Sequence, residues 1–398
     1  MSVHIILGDP HIGKGINTGK PGSGTALNSR IQDQINLLNW VLLQAEERKA
    51  TSIIITGDVY EDPRPHPTLI HLFMLWLKQC ERSNIAVHIV AGNHDIIRTG
   101  SYTISALDIV PAVELSHAKT YKDIVSVKYE DVEFKFIPFR DRRMYDANSP
   151  EEALNKLKEE LAAIKHDKSV KNVAVGHLSL EGAIPIGDEI DDTINEIFCP
   201  LSMFREFDYV WFGHIHKPQV LDVKPHVAHI GSMDRSDFHD SEILIDKRII
   251  IFDSSKEPEE VVIPTRNLRK IEINIPQDKD TTDFVINHLF AHNKTTPLKD
   301  AIIRLNITIQ GQESPGADRD KIIKFIYNKL EAHYICNFSE SRNISVISST
   351  AQILFDSNIS IPAAIRTYAD TLELKEKKDM YLELSMECLA EFNEKNQL

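Results

Sequence analysis

The stretch Val3-His4-Ile5-Ile6-Leu7-Gly8-Asp9-Pro10-His11 decides the fold, because a short β-branched apolar run is cut off by glycine and followed by two polar side chains. Such a run is typical of a buried β-strand. Four more segments repeat the design. They are residues 52–56 before Gly57-Asp58, residues 86–90 before Gly92-Asn93-His94-Asp95, residues 172–175 before Gly176-His177, and residues 209–212 before Gly213-His214-Ile215-His216. The sequence therefore predicts five buried strands, each with a polar cluster at its carboxyl end.

Helical patterns alternate with these strands. Residues 29–49 and 67–80 carry apolar side chains near the spacing of an amphipathic helix. An alternation of strands and helices is typical of a layered α/β domain. Shorter β-like segments at residues 121–139 and 218–252 call for a second sheet that packs on the first. We therefore expect an α/β domain that contains two sheets.

The five polar clusters together offer a set of metal ligands. Loops at the carboxyl ends of parallel strands converge on one edge of an open sheet, so residues far apart in sequence can meet there. The predicted ligands are Asp9, His11, Asp58, Asn93, His177, His214 and His216. Oxygen and imidazole ligands suit manganese better than thiolate-loving metals, with zinc and iron left open. Two divalent ions about 3.5 to 4 Å apart can neutralise the attacking and leaving oxygens of a phosphoester.

The cluster Asn93-His94-Asp95 is more specific than the others. Its asparagine carbonyl can ligate a metal, which leaves the following imidazole free for proton transfer or charge stabilisation. We predict His94 and Asp95 as catalytic residues. A lone histidine at the end of a strand is usually structural, so the histidines outside the five clusters are predicted to be noncatalytic.

Length and composition predict two domains and an appendage. The chain has 398 residues and 42% hydrophobic residues, enough for a proper core. A linker-like stretch at 254–266 separates a first domain, residues 1–262, from a small α+β domain, residues 267–350. Residues 362–398 are predicted to form an amphipathic helical segment. This segment either docks on its own domain or lies in the groove of another protein.

Charge and hydropathy exclude several classes of protein. The net charge of −14, from 45 basic and 59 acidic residues, argues against a nonspecific nucleic-acid coat protein but leaves a DNA enzyme open. No apolar run reaches the roughly 18 residues of a membrane span, and no secretory signal is evident, so we expect an intracellular protein. Residues 8–15 match the opening of a P-loop, but Gly15 stands where a hydroxyl must hold magnesium, so this loop is not expected to bind ATP.

Over residues 3–235 the clusters resemble the signature of the calcineurin-like metallophosphoesterases: DxH, GDxx, GNH followed by Asp or Glu, a single His, and GHxH. The resemblance implies a four-layer α/β/β/α sandwich. It also implies that the residues at Asp9, His11, Asp58 and His216 hold one metal and those at Asp58, Asn93, His177 and His214 hold the other. The matching role of His94 is to stabilise the transition state or to protonate the leaving oxygen.

Within that superfamily the chain is most similar to the SbcD-type recombination nuclease subunits, in particular those of tailed phages. The GNHD form at residues 92–95, Arg64-Pro65 soon after Asp58, and Gly231-Ser232-Met233-Asp234-Arg235 carry this resemblance. Glu61 departs from the cellular relatives, which often have His or Asp there, so the resemblance assigns it no role in orienting substrate.

The resemblance implies a manganese-dependent DNA nuclease of recombination, repair and replication. Expected activities are double-strand 3'-5' exonuclease and single-strand endonuclease, in the cytoplasm, or the host cytoplasm for a phage protein. Residues 267–350 would cap the site and bind DNA, and residues 362–398 would bind an SbcC-like SMC-type ATPase. A homodimer is expected, and no membrane.

Two other functions stay open on the sequence. One is a phosphatase or small-molecule phosphodiesterase on the same fold, which would have a compact substrate pocket. The other is a scaffold for DNA ends and an ATPase, in which the metals are structural.

Overall fold

The computed structural model describes residues 2–23, 27–99, 102–187, 194–311, 315–343 and 378–396, and positions 362, 365, 366 and 369. The helices are α1 (Ser29–Glu47), α2 (Pro67–Arg82), α3 (Ile109–Ala112), α4 (Pro150–Ala162), α5 (Asp240–Ile243), α6 (Thr281–Thr295), α7 (Arg319–Asn328) and α8 (Lys378–Asn396). The strands are β1 (Val3–Leu7), β2 (Ser52–Ile55), β3 (Ala86–Val90), β4 (Ile96–Thr99), β5 (Tyr102–Ser105), β6 (Ala118–Tyr121), β7 (Val125–Lys128), β8 (Val132–Ile137), β9 (Lys171–Gly176), β10 (Ser179–Leu180), β11 (Phe198–Cys199), β12 (Tyr209–Phe212), β13 (Gln219–Val223), β14 (His226–His229), β15 (Arg248–Asp253), β16 (Glu259–Val262), β17 (Leu268–Ile275), β18 (Ile302–Gln310) and β19 (Tyr334–Asn343).

The first sheet has six strands in the order β16-β15-β1-β2-β3-β6. Strands β1, β2, β3 and β6 are parallel, and the two strands at the other edge are antiparallel. In register, Ile5 lies opposite Ile53, which lies opposite Val87. Both faces of β1, β2 and β3 are covered, which is why their sequences are mainly apolar and do not alternate.

The second sheet also has six strands, in the order β13-β14-β12-β9-β8-β7. Its four central strands are parallel, with Val210 opposite Ala174 and Phe134 opposite Val173. The central strands of both sheets are therefore parallel, and each sheet gathers the carboxyl ends of those strands on one edge.

Three apolar clusters hold the layers together. Leu38 of α1 and Trp76 of α2 pack with the outer face of the first sheet. Ile54 of that sheet packs with Trp211 of the second sheet in the cluster between them. Leu157 of α4 packs on the far side of the second sheet. The order of layers is helix, sheet, sheet, helix, which confirms the predicted four-layer α/β/β/α fold.

A three-stranded parallel sheet, β17-β18-β19, follows the linker. Helices α6 and α7 connect its strands and pack with them in a separate apolar cluster. The sequence predicts a helix over 319–333, but α7 ends at Asn328, and Glu331 with φ 53° turns the chain toward β19. Arg266 joins this unit to α1 through two contacts to Asp33, of 2.7 and 2.8 Å. The domain boundaries at 262, 267 and 350 stay predictions.

The C-terminal segment is described mainly by α8. Residues 344–361 of the predicted layout lie outside the described residues, as do most of 362–377. Met380 and Leu384 on α8 are exposed. Among the described helices, none combines the length and the apolar character needed to cross a membrane.

Two buried histidines within the strands, away from the loops at the strand ends, make the stability of the folded protein depend on pH. His4 is hydrogen-bonded to Ser2 and Ser52, and His88 to Tyr121 and Tyr129. Burial lowers the pKa of His4 to about 3 and that of His88 to about 4. The folded state thus keeps both rings neutral at a pH where the unfolded chain, with a pKa of about 6.5, is already protonated.

We expect the free energy of unfolding to fall as pH is lowered from 7 to 5, by about 2 kcal/mol for each of these histidines. Urea unfolding at both pH values measures the loss. The variant His88→Gln should lose about 2 kcal/mol less than wild type over the same interval. An equal loss in the variant would show that His88 does not contribute.

Candidate dinuclear metal site

The predicted ligands lie on loops at the carboxyl ends of five parallel strands, three in the first sheet and two in the second. The first sheet supplies Asp9 and His11 after β1, Asp58 after β2, and Asn93 after β3. The second supplies His177 after β9, and His214 and His216 after β12. All are buried except Asn93, which is half-buried. The two edges therefore meet in one site.

One group of ligand atoms comes from Asp9, His11 and His216, whose atoms lie within 4.8 Å of one another. The Nε2 atoms of His11 and His216 are 2.9 Å apart. Burial lowers the pKa of both rings, that of His216 well below its usual value, with His11 adding to the effect. Neutral imidazole is the form that ligates metals. Two buried ring nitrogens facing a carboxylate are a donor set that fits a divalent cation.

A second group comes from Asp58, His177 and His214, again within 4.8 Å. Asn93 Oδ1 lies 2.9 Å from His177 Nε2 and 3.0 Å from His214 Nδ1. Burial opposes a charge on His177, but Asp58 and Asp9 outweigh it and raise the pKa of this imidazole well above its usual value. The surroundings thus favour positive charge at this point, and a proton or a divalent ion can supply it.

Asp58 connects the two groups. Its Oδ2 atom lies 3.5 Å from His11 Nε2 in the first group and 3.1 Å from His177 Nε2 in the second. Its Oδ1 atom accepts a hydrogen bond of 2.8 Å from the backbone N–H of His94. The carboxylate is therefore held in place with one oxygen facing both groups, the geometry that a bridging ligand needs.

Three of these residues adopt backbone conformations that are uncommon for residues other than glycine. His11, Asp58 and His214 have φ values of 42°, 46° and 79°. Such conformations cost on the order of 1–3 kcal/mol each and cluster at functional sites. The surrounding hydrogen bonds support them, since the N–H of His214 donates to Asp9 Oδ2 at 2.7 Å. The fold gives up some stability to direct these side chains inward.

His94 lies beside both groups and is half-buried. Its Nδ1 atom is 2.8 Å from the backbone oxygen of Glu61. Because a carbonyl only accepts, Nδ1 carries the proton and Nε2 is the nitrogen left for chemistry. The ring packs edge-on against His11, with 4.9 Å between centroids.

Asp95 is fully buried, and its oxygens accept backbone N–H groups from Val59 and Gly92, each at 3.0 Å. Burial and the nearby Asp58 raise the pKa of its carboxyl to about 8. These bonds join the loop after β2 to the loop after β3. Catalysis by Asp95 stays a prediction, and its contacts favour a role in positioning Asp58 and Asn93.

Sequence reasoning missed three residues behind the ligands. Glu61 Oε2 lies 2.8 Å from His11 Nδ1, and Glu196 Oε1 lies 2.9 Å from His214 Nε2. The fully buried Lys247 donates to the backbone oxygen of His216 at 3.0 Å. Glu61 is close to a motif, but Glu196 and Lys247 carry no sequence signal, because only the fold brings them to the site.

Gly213 leaves room for the Asp9 carboxylate. A Cβ atom at residue 213 would lie 2.0 Å from Asp9 Oδ1. We expect Gly213→Ala to displace this carboxylate and to lower hydrolytic activity about 100-fold, as a misplacement of about 1 Å can do. Steady-state rates on a phosphodiester measure the effect. Gly316→Ala is the control, because the nearest atom there is a flexible glutamate oxygen at 3.3 Å. Activity of Gly213→Ala near that of the control would contradict the role of this contact.

Comparisons with known proteins cover the part of the chain that contains the clustered residues. The sequence model of the calcineurin-like phosphoesterase family matches residues 4–218. The SbcD subunit of the nuclease SbcCD from Staphylococcus epidermidis is 23% identical over 283 residues, 68% of this chain and 74% of that protein. Its namesake in Escherichia coli K12 is 23% identical over 227 residues, 51% of this chain and 56% of the relative.

Two further comparisons extend beyond the bacterial nucleases. The DNA double-strand break repair protein Mre11 of Methanocaldococcus jannaschii is 28% identical over 195 residues, 48% of this chain and 47% of that protein. A dimetal phosphatase from Danio rerio has a solved structure that is 14% identical, covers 66% of this chain and 99% of its own, and gives a TM-score of 0.36. That score is too low to bear on the fold.

Proposed function

Because the chain belongs to the calcineurin-like phosphoesterase family, we propose that this metal-dependent phosphoesterase is a DNA nuclease. The observation that carries the proposal is the position of Asp58 Oδ2, within 3.5 Å of a ring nitrogen from each ligand group. A carboxylate in that position can ligate two metal ions, and two such ions can promote the hydrolysis of a phosphodiester. DNA as the substrate is supported by the names of the nuclease and double-strand break repair relatives.

We assign the ligands as two sets that share Asp58. Asp9, His11 and His216 complete the first set, and Asn93, His177 and His214 complete the second. The donors are imidazole nitrogens and carboxylate or amide oxygens, which favours manganese among the candidates. When bound, two divalent ions neutralise the charge that develops on the phosphoryl oxygens.

His94 is the proposed catalytic residue of the chain. Its Nδ1–H is held by the Glu61 carbonyl, so Nε2 is the atom that exchanges a proton with substrate. Its backbone N–H holds Asp58. We propose that His94, when protonated at Nε2 as well as Nδ1, donates the Nε2 proton to the leaving sugar oxygen or stabilises charge there, while Asp95 keeps the loop in position.

The remaining parts of the assignment concern assembly. We propose that residues 267–350 cap the site and contact DNA, that the protein acts as a homodimer, and that residues 362–398 bind an SMC-type ATPase in a complex for recombination, repair and replication. The SbcCD relatives are named as one subunit of a nuclease, which supports a partner subunit. The exposed Met380 and Leu384 of α8 support a helix that binds a groove.

The decisive experiment compares substrates. End-labelled duplex DNA, single-stranded circular DNA and a phosphomonoester are each incubated with the protein and Mn²⁺. We expect exonuclease and endonuclease products and little monoester turnover. Fast monoester turnover without DNA cleavage would make the protein a phosphatase. Binding of DNA ends without cleavage of any substrate would support a scaffold.

Deleting residues 362–398 tests the assignment of the tail. We expect the shortened protein to lose affinity for the ATPase and to keep metal-dependent cleavage of short DNA, because His94 and the proposed ligands all precede residue 217. A pull-down with the ATPase measures the first effect. Unchanged affinity would remove the tail from the interface.

A further inference from the structure

Two histidine ligands have a glutamate carboxylate against one ring nitrogen. In the first group, His11 Nδ1 lies 2.8 Å from Glu61 Oε2. In the second, His214 Nε2 lies 2.9 Å from Glu196 Oε1. The opposite nitrogen of each ring faces the ligand atoms: His11 Nε2 is near His216 Nε2, and His214 Nδ1 is near Asn93 Oδ1.

We propose that Glu61 and Glu196 are positioning residues that set the tautomer of His11 and His214, respectively, so that each glutamate governs the affinity of one ion of the pair. The proposal rests on the proposed two-metal function. It assigns Glu61 to the ion of the first ligand set and Glu196 to the ion of the second.

The chemistry follows from the donor rules. An ionised carboxylate has no proton to donate and repels the lone pair of a nearby nitrogen, so it favours a proton on the ring nitrogen that it faces. The other nitrogen then keeps its lone pair and can ligate. His11 is thereby fixed to ligate through Nε2, and His214 through Nδ1. Opposite tautomers are needed in one site, and a glutamate on the appropriate side of each ring selects them.

His177 provides an internal comparison. Its Nδ1 faces the backbone oxygen of Thr56 at 3.1 Å and Asp9 Oδ1 at 3.5 Å, which favours the same tautomer as that of His11. Here the nearby carboxylate belongs to a proposed ligand, whereas Glu61 and Glu196 add negative charge from outside the ligand set. Outer carboxylates of this kind strengthen histidine ligands, and their loss typically costs 10–100-fold in metal affinity.

The two glutamates are held in different ways. Glu61 is three residues after Asp58, its side chain is one-third exposed, and Lys14 Nζ lies 3.5 Å from its carboxylate. Glu196 is buried on a loop that pairs with Asp141, and the neighbouring N–H of Arg142 donates to Asn195 at 2.9 Å. Each carboxylate is thus anchored independently of the other, so the two can be altered separately.

The test is a titration of the full-length protein with Mn²⁺ in the absence of DNA. Calorimetry measures the affinity of each binding step, and electron paramagnetic resonance detects the spin-coupled pair of manganese ions. Wild type should bind two ions in two resolvable steps. Glu61→Ala and Glu196→Ala should each weaken one step 10–100-fold, and not the same one. Glu61→Gln and Glu196→Gln keep an oxygen that can face the same ring nitrogen, so they should recover part of the loss.

Glu133→Ala is the matched control, because Glu133 pairs with Lys135 near the amino end of β8, away from the site edge. It should leave both steps unchanged. If wild type binds two ions and both alanine variants bind them with unchanged affinities, the inference is overturned. It is also overturned if both variants lose affinity in the same binding step. Failure of wild type to bind any ion would instead overturn the proposed function. If an alanine variant does not fold, its glutamine counterpart decides, and wild-type affinity in both steps counts against the proposal.

Discussion

Asp58→Ala should abolish binding of an ion pair and lower the hydrolysis rate by about 10³-fold or more. The change removes a carboxylate oxygen that lies near both ligand groups, 3.5 Å from His11 Nε2 and 3.1 Å from His177 Nε2. Two bound metal ions stabilise the transition state of such reactions by several kcal/mol, and each 1.36 kcal/mol of stabilisation raises the rate about tenfold. Calorimetry with Mn²⁺ and single-turnover cleavage of duplex DNA measure the two effects.

The control for Asp58→Ala is Asp208→Ala. Asp208 accepts a hydrogen bond from the N–H of Asn172 at 2.8 Å, near the amino ends of β9 and β12 and therefore at the opposite edge of the sheet. We expect it to bind two ions and to cleave DNA like wild type. An Asp58→Ala protein that still bound two ions and retained half of the wild-type rate would refute the bridging role.

His94→Gln should lower the rate of DNA cleavage by about 10²–10⁴-fold while both ions stay bound, the usual effect of removing a general acid or base. Glutamine keeps a polar side chain near Glu61 but cannot donate a labile proton from a ring nitrogen. His88→Gln, on the strand that leads into the same loop, is the control and should cleave normally.

A second substrate separates proton donation by His94 from simple charge stabilisation. A phosphodiester with a nitrophenol leaving group needs no proton on the departing oxygen. If His94 is the donor, His94→Gln should hydrolyse that substrate nearly as fast as wild type. A defect as large as the defect on DNA would favour charge stabilisation in the transition state, and loss of bound ions would show that His94 is itself a ligand.

The strands, and the meeting of the polar side chains that follow them, were the predictable part of this molecule. Val3–Leu7, Ala86–Val90 and Tyr209–Phe212 have the bounds that their apolar runs predict. These strands are covered on both faces, so nearly every position in them is apolar. The helix predicted over 319–333 ran too far, because Leu330 and Ala332 continue the apolar pattern after the chain has turned at Glu331.

The outer part of the site was not predictable from sequence. The left-handed conformations of His11, Asp58 and His214 depend on hydrogen bonds that exist only in the folded loops. Glu196 meets His214 because two loops of the second sheet pack together, and no spacing in the sequence records that contact. Patterns report which side chains are present at strand ends, whereas the direction of a loop side chain depends on tertiary contacts.

The division of the ligands between the two sheets has a mechanical consequence. Asp9 and His11 from the first sheet face His216 from the second, and Asp58 and Asn93 face His177 and His214 in the same way. A metal ion bound by either set would therefore fasten one layer to the other at their shared edge. Since a ligand that binds only the folded state stabilises it by mass action, the melting temperature should rise with metal concentration. By linkage, anything that loosens the apolar layer around Trp211 and Ile54 would also make the ions easier to lose.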